Sequence, residues 1–199
     1  MSQDEIKTLL ASHSPWRNRT LVVVDFGNVE KWKHSLGWSI DLRSLGNFVK
    51  HLSVDNRNNR RFYYGTDNGP HEKNPVRTEW SRMVAEKAQM SKFEYVTKVV
   101  KYIHKNDGSG EYDKKCDLDV EMAVDLIKHR DQYDHIYLFS GDGDLMYAVR
   151  YMKEAYHKRC TIIAARDHIG REVIDALQDG TLAAVLYAQD LQYRLRGSR

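Results

Sequence analysis

The fold of this protein is decided by the segment Leu21-Val22-Val23-Val24-Asp25-Phe26-Gly27-Asn28. It begins with an unbroken apolar run rich in β-branched residues, which is typical of a parallel strand buried on both faces. An aspartate then ends the run, and aspartate at such a position favours a turn or a helix cap. The segment therefore predicts a central buried strand that places Asp25 at one edge of a sheet.

Strand and helix patterns alternate along the rest of the chain. We predict five strands, at residues 21–26, 61–65, 95–103, 135–139 and 160–165. The third could extend into a ribbon, and residues 183–195 allow a further short strand or helix. Helices are predicted over residues 42–52 after an Asp41 cap, and over 75–90, 117–129, 144–156 and 169–177. This alternation favours an α/β domain with a mainly parallel sheet. A doubly wound strand order 3-2-1-4-5 would place strand one beside strand four.

The chain is expected to fold as one domain over residues 19–195. A lead-in with a short helix precedes it at residues 1–18, and a tail follows at 196–199. We find no internal repeat and no proline-rich linker that would mark a second domain.

Acidic residues end the two strands that this order makes neighbours. Asp25 ends strand one, and strand four runs into Ser140-Gly141-Asp142-Gly143-Asp144. Neighbouring strands lie about 4.8 Å apart, so Asp25, Asp142 and Asp144 are expected to converge. Carboxylates this close repel one another unless a cation lies among them. Ligation by oxygen alone favours Mg²⁺ or Mn²⁺.

The helix predicted from residue 117 offers one more carboxylate. Asp119 lies above Met122, Ala123 and Leu126, which belong to the packed side, and an acid there needs a partner such as a metal ion. Asp117 is the expected helix cap, although the two acids could exchange these roles. Asp125 and His129 fall on a face that we interpret as solvated.

These three segments resemble the motifs of NYN domains, which are PIN-like nuclease domains. The resemblance rests on residues 24–28, 116–125 and 139–144, in the family order, and extends over about residues 20–188. It implies a Rossmann-like three-layer α/β/α fold and metal-dependent hydrolysis of RNA by Asp25, Asp119, Asp142 and Asp144. It also implies that Asn28 is a neutral site residue and that the Ser140 hydroxyl lies near the ion or phosphate.

One part of the second motif departs from the family pattern. Many NYN domains have Lys-Gly-Val-Asp before the helix, where this chain has Cys116-Asp117-Leu118-Asp119. The resemblance therefore leaves open whether Lys115 corresponds to the family lysine and whether Asp117 joins the metal site.

Basic residues form two local clusters, although the net charge is only +3. We expect them to bind single-stranded RNA through its phosphates. Tyr63, Tyr64, Tyr102 and Tyr112 could stack on unpaired bases. The candidate RNA-binding residues are Arg57, Arg60, Arg61, Lys98, Lys101, Lys105 and Lys114.

The composition and the cysteine spacing indicate the cellular compartment of the protein. The longest apolar runs are far shorter than the roughly 20 residues that span a bilayer, and the N-terminus lacks the pattern of a secretory signal. Cys116 and Cys160 form no CxxC pair, which favours a reducing compartment, so we expect a cytoplasmic protein. The segment at residues 187–195 is a candidate for pairing in a homodimer.

Two other functions remain open at this level. The first is a non-catalytic NYN-like module that binds RNA or a protein and uses its acids only for a structural cation. The second is another metal-dependent phosphoryl-transfer enzyme, such as a phosphatase. The Asp-x-Asp motif of haloacid-dehalogenase-like phosphatases is missing here, since Gly27 stands at the second Asp position.

Overall fold

The computed structural model describes residues 3–12, 19–53, 59–70, 76–105 and 109–197. Its strands are β1 (Thr20–Asp25), β2 (Arg60–Tyr63), β3 (Glu94–Val96), β4 (Lys101–His104), β5 (Tyr112–Lys115), β6 (His135–Phe139), β7 (Arg159–Ala164) and β8 (Ala184–Tyr187). Six of them form one sheet in the order β3-β2-β1-β6-β7-β8, and every pair in it is parallel. This confirms the predicted fold class and the placement of strand one beside strand four.

The sheet is wider than predicted by one strand. β8 pairs with β7 and extends that edge, in the region where the sequence allows either a strand or a helix. β1 and β6 lie in the middle, and nearly every residue in them is buried. Because apolar side chains cover both faces of these strands, their sequences read as continuous runs instead of alternating ones.

The helices are α1 (Gln3–Ser12), α2 (Phe26–Val29), α3 (Lys33–Leu36), α4 (Leu42–Leu52), α5 (Glu79–Met90), α6 (Asp119–Lys128), α7 (Met146–Tyr156), α8 (Arg171–Gln178) and α9 (Gln192–Leu195). α4 contacts α5 and α9, whereas α7 contacts α6 and α8. Right-handed crossovers on the two sides of β1 place these groups on opposite faces of the sheet. The result is the three-layer arrangement that the family resemblance implies.

Most predicted boundaries shift by one or two residues, and two elements differ more. The strand predicted over residues 95–103 is divided between β3, in the main sheet, and β4, which pairs with β5 in a separate antiparallel ribbon. The helix predicted to begin at Asn74-Pro75 begins instead at Glu79, where Thr78 caps it by accepting from the Ser81 backbone N–H. Residues 74 and 75 themselves lie outside the described residues.

Both ends of the described chain pack on this domain. Ile6 of α1 is buried in the core. Leu191 and Leu195, in and beside α9, are fully buried, and α9 packs against α4. The segment at residues 187–195 is therefore not the exposed tail that pairing between two copies would require. No helix in the described ranges is both long and apolar enough to cross a membrane.

Candidate metal centre and nucleic-acid groove

The candidate site lies at the carboxyl ends of β1 and β6. Val24 is the register partner of Phe139, so the next residues, Asp25 and Ser140, emerge side by side from the sheet. The Ser140 hydroxyl donates to Asp25 Oδ2 at 3.0 Å. Parallel pairing thus joins two segments that are far apart in the sequence.

Asp25 also starts the helical turn α2. Its Oδ1 accepts from the backbone N–H of Asn28 at 3.1 Å. Burial raises the pKa of Asp25, the hydrogen bonds from Asn28 and Ser140 oppose that rise, and the charge of Asp142 adds to it. Asp25 is therefore a fixed, partly buried carboxyl group with both oxygens already hydrogen-bonded.

Asn28 ties the two strand ends together with its amide. Its Oδ1 accepts from the indole Nε1 of Trp32 at 2.8 Å and from the backbone N–H of Gly141 at 3.2 Å. The side chain adds no charge to a region rich in carboxylates. This fits the neutral role that the family resemblance implies for Asn28.

The loop after β6 is held by its own polar groups. The backbone N–H of Asp142 donates to Ser140 Oγ at 3.2 Å, and that of Asp144 donates to Asp142 Oδ1 at 3.1 Å. At Gly141 a Cβ atom would lie 1.6 Å from the carbonyl oxygen of His168, so no side chain fits there. Glycine here serves close packing between two backbone segments.

Three carboxylates meet at this loop. Asp119, at the first position of α6, joins Asp142 and Asp144, and one carboxylate oxygen from each lies within 4.8 Å of the others. Burial raises the pKa of Asp119 to about 7, with further contributions from the neighbouring acids Asp117, Asp25 and Asp142. A divalent cation would relieve this repulsion, so the donor set fits Mg²⁺ or Mn²⁺.

Asp117 lies beside this triplet and is not part of it. Its Oδ1 accepts from the backbone N–H of Asp119 at 3.0 Å, two residues along the chain. The structure places the N-cap of α6 at Leu118, so the predicted cap at Asp117 is wrong by one residue. The Asp117 carboxylate stabilises the turn that presents Asp119.

The carboxylates open into a groove of about 620 Å³. Its walls include residues outside the sequence motifs, among them Glu30, Lys31, Asp67 and Trp80. The sequence could have predicted Lys31 at the groove, because this residue follows Asn28 by about one helical turn. It could not have predicted Glu30, Asp67 or Trp80 there, since only the packing of separate elements brings them to the groove.

Two of the candidate RNA-binding arginines are not available to a phosphate. Arg60 is 1% exposed and donates from Nε to Ser53 Oγ at 2.7 Å. Arg61 is 7% exposed, and its Nη1 pairs with Asp125 Oδ2 at 2.6 Å. Both lie in β2, where the alternation of the strand directs them into the two helix layers. Arg57 lies outside the described residues.

The Arg61–Asp125 pair belongs to a network between β2 and α6. The Tyr63 hydroxyl donates to Asp125 Oδ2 at 2.7 Å, and Arg61 Nη2 lies 2.7 Å from His129 Nε2. The side chains of Asp125 and His129 are only 15% and 12% exposed. The face that we interpreted as solvated is therefore packed against the sheet, and Tyr63 is not available to stack on a base.

The candidate lysines differ in how free they are. Lys98 pairs with Glu121 at 2.7 Å, Lys105 with Glu111 at 2.7 Å, and Lys114 with Asp67 at 2.9 Å. Lys101 and Lys115 are exposed and form no ion pair within the described ranges. They are also direct register partners across the β4–β5 ribbon. Like charges opposite each other are unfavourable in a sheet, which suits a surface that meets an anion.

Comparison with known proteins agrees with this geometry. A family model described as the NYN domain matches residues 19–181. The chain is 25% identical over 159 residues to the Low amplitude and bright protein LabA of Synechococcus elongatus, a match that covers 80% of each chain. The crystal structure of a protein of unknown function from Vibrio parahaemolyticus has the same fold, with a TM-score of 0.60 at 20% identity over 85% of this chain and 92% of the other. Because the family model spans most of its length, the chain belongs to the NYN domain family.

Proposed function

We propose that this protein is a metal-dependent ribonuclease that hydrolyses phosphodiester bonds in single-stranded RNA. The observation that carries the proposal is the meeting of Asp119, Asp142 and Asp144 at the edge of the groove. Membership in a family of PIN-like nuclease domains supports the same chemistry.

Asp119, Asp142 and Asp144 would hold the cation. Bound Mg²⁺ or Mn²⁺ supplies a water of lowered pKa and neutralises charge on the phosphate. Asp119 also lies close enough to Asp142 and Asp144 to accept a proton from a water that the cation binds. Asp119 is therefore either a third ligand or the base that orients the attacking water.

Other residues position the carboxylates and the substrate. Ser140 is fully buried, and its hydroxyl connects Asp25 with the backbone of Asp142, so it acts as a positioning residue. Asp25 holds Ser140 and the Asn28 backbone by hydrogen bonds, and it is also a candidate ligand. Lys31 and Lys115 are exposed on the groove wall and can each neutralise a nonbridging phosphate oxygen.

The β4–β5 ribbon extends this surface for a longer strand. Asp67 fastens it to the domain by accepting from Tyr102 and Lys114. Lys101 and Lys115 then face solvent on adjacent strands. An RNA strand that passes along the ribbon into the groove would bring its phosphates to both lysines and neutralise their charges.

Cleavage of end-labelled single-stranded RNA tests the proposal. Wild type and Asp142→Asn are compared in Mn²⁺, in Mg²⁺ and in EDTA. We expect cleavage only with a metal ion, and a loss of at least about a hundredfold in Asp142→Asn, because the variant removes one anionic ligand.

Asp131→Asn is the matched control. This acid lies in the turn before β6, at the opposite edge of the sheet, and its side chain is 84% exposed. It should cleave as wild type does. Binding of RNA without cleavage in any metal would refute the nuclease and favour a binding module, whereas turnover of a small phosphomonoester with intact RNA would favour a phosphatase.

A further inference from the structure

Away from the carboxylate triplet, the groove carries a hydrogen-bonded chain of three side chains. The indole Nε1 of Trp80 donates to the Tyr64 hydroxyl at 3.1 Å, and that hydroxyl donates to Glu30 Oε2 at 2.7 Å. Glu30 lies in the turn after α2, Tyr64 follows β2, and Trp80 is in the first turn of α5. Three separate elements thus converge on one wall of the groove.

Trp80 exposes an aromatic surface that is held in place. The residue is 47% exposed although tryptophan is usually largely buried. Its hydrogen bond to Tyr64 limits its rotation, and the Tyr64 ring packs edge-on against Phe26 at 5.2 Å between centroids. A fixed, exposed indole beside a groove is suited to stack on a nucleobase.

Glu30 retains capacity to accept further hydrogen bonds. Within the part of the chain that the structure describes, the Tyr64 hydroxyl is its hydrogen-bond partner, and no cation pairs with it. Asp67, another acid of the same groove, is neutralised by Lys114. An unpaired carboxylate repels phosphate, but it can accept hydrogen bonds from the N–H donors of a base.

We propose that Glu30, Tyr64 and Trp80 form a guanine-selective base site in the same groove as the proposed cleavage site. It rests on the proposed function, in that the base belongs to an RNA lying in the groove. The base would stack on Trp80 while its N1–H and its exocyclic amine donate to the Glu30 carboxylate. A base in single-stranded RNA leaves this Watson–Crick edge free to be recognised.

The carboxylate distinguishes guanine from the other bases by its donors. Guanine presents two adjacent N–H donors on that edge. Adenine and cytosine each place a ring-nitrogen acceptor beside their amine, and uracil flanks its single N–H with carbonyl oxygens. These acceptors would face the carboxylate and be repelled, and a good bidentate pair typically favours the right base by tenfold or more.

Binding of mononucleotides tests the site without any need for cleavage. GMP, AMP, CMP and UMP are titrated separately into the metal-free protein by calorimetry. We expect GMP to bind at least about tenfold more tightly than the other three. Trp80→Ala should weaken GMP binding by about tenfold or more. Glu30→Gln should remove the preference for GMP while stacking on Trp80 persists.

Tyr193→Ala is the matched control, because Tyr193 is also an exposed aromatic residue, 53% exposed, and lines a different cleft. It should bind GMP as wild type does, and thermal melting confirms that each variant is folded. Equal affinity for the four nucleotides, no binding of any up to about 10 mM, or a GMP preference that survives Glu30→Gln would each overturn the proposal.

The outcomes also separate this site from the proposed nuclease. A GMP preference that depends on Glu30, in a protein that cleaves no RNA, supports the base site and refutes the ribonuclease. Metal-dependent cleavage of RNA by a protein that binds the four mononucleotides equally supports the ribonuclease and refutes the base site.

Discussion

At the scale of single residues, an arginine donor determines the protonation of a partly buried histidine. Arg61 Nη2 lies 2.7 Å from His129 Nε2, and a guanidinium group can only donate. Nε2 must therefore accept, which requires a neutral imidazole. Burial lowers the pKa of His129 below its usual value, and the charge of Arg61 lowers it further. A protonated His129 would lose its contact with Arg61, which is one of the contacts between β2 and the C-terminal end of α6.

This predicts a loss of stability in mild acid. As pH falls below about 6.5, His129 takes up a proton in the unfolded chain before it does so in the folded protein, so the free energy of unfolding decreases. His129→Gln keeps an acceptor for Arg61 and removes the titration. Urea unfolding at pH 7.5 and pH 5.5 should show a smaller decrease for this variant than for wild type.

His34→Gln controls for histidines in general, because His34 is exposed in α3. It should lose as much stability as wild type between the two pH values. If His129→Gln loses equally as much, His129 does not titrate differently in the folded and unfolded states.

At the scale of elements, the β4–β5 ribbon carries exposed lysines that the buried central strands of the sheet could not accommodate. Its residues are mostly exposed, in contrast to β1 and β6, whose residues are nearly all buried. Lys101 and Lys115 lie opposite each other in it. Because the ribbon stands outside the core, lysines in it keep their hydration until an anion arrives.

The ribbon lysines should set part of the salt dependence of RNA binding. Each phosphate contact to single-stranded RNA adds about 0.7 to the slope of log K against log salt. Replacing both Lys101 and Lys115 with Gln should lower that slope by about 1.4. Binding is measured in EDTA by fluorescence anisotropy over a range of salt concentrations.

Lys50→Gln with Lys87→Gln is the matched double variant. Both lysines are exposed, on α4 and α5, and neither lines the groove. The control should keep the wild-type slope. An unchanged slope in the ribbon variant would mean that RNA does not contact the ribbon.

At the scale of the whole molecule, the proposed cation site would couple metal binding to folding. Asp119 comes from α6, whereas Asp142 and Asp144 follow β6, so their oxygens approach one another only in the folded domain. A cation held by all three therefore binds the native state in preference to the unfolded chain. Such binding raises the stability of the entire domain.

Thermal unfolding should register this coupling. At a metal concentration of 100 times Kd the native state gains about 2.7 kcal/mol. For a domain of this size, that raises Tm by about 5 to 10 °C. Scanning calorimetry of wild type with and without Mn²⁺ measures the shift, which should largely disappear in Asp142→Asn and persist in Asp131→Asn. An equal rise in both variants would place the ion elsewhere.

The sheet and the acidic loop could be predicted because the local sequence pattern there agrees with the overall fold. An unbroken apolar run permits few structures other than a strand covered on both faces. The acids then follow at strand ends, where parallel neighbours must meet. Residues of mixed character were harder to assign. Arg60 and Arg61 form a basic cluster in the sequence, and only their burial in β2 excludes them from an RNA surface.

The sequence by itself determined the α/β class, the strand order around β1 and the presence of acids at the carboxyl ends of the two central strands. The hydrophobic periodicity and the position of an acid at a strand end both depend on residues that are near one another in the sequence, so they can be read from it directly. Tertiary structure alone decided that Asp119 and not Asp117 joins Asp142 and Asp144, that Asp125 and His129 pack against the sheet, and that Tyr64 connects Glu30 with Trp80. Those contacts depend on how separate helices pack on the sheet, and such packing leaves no periodic trace in the chain.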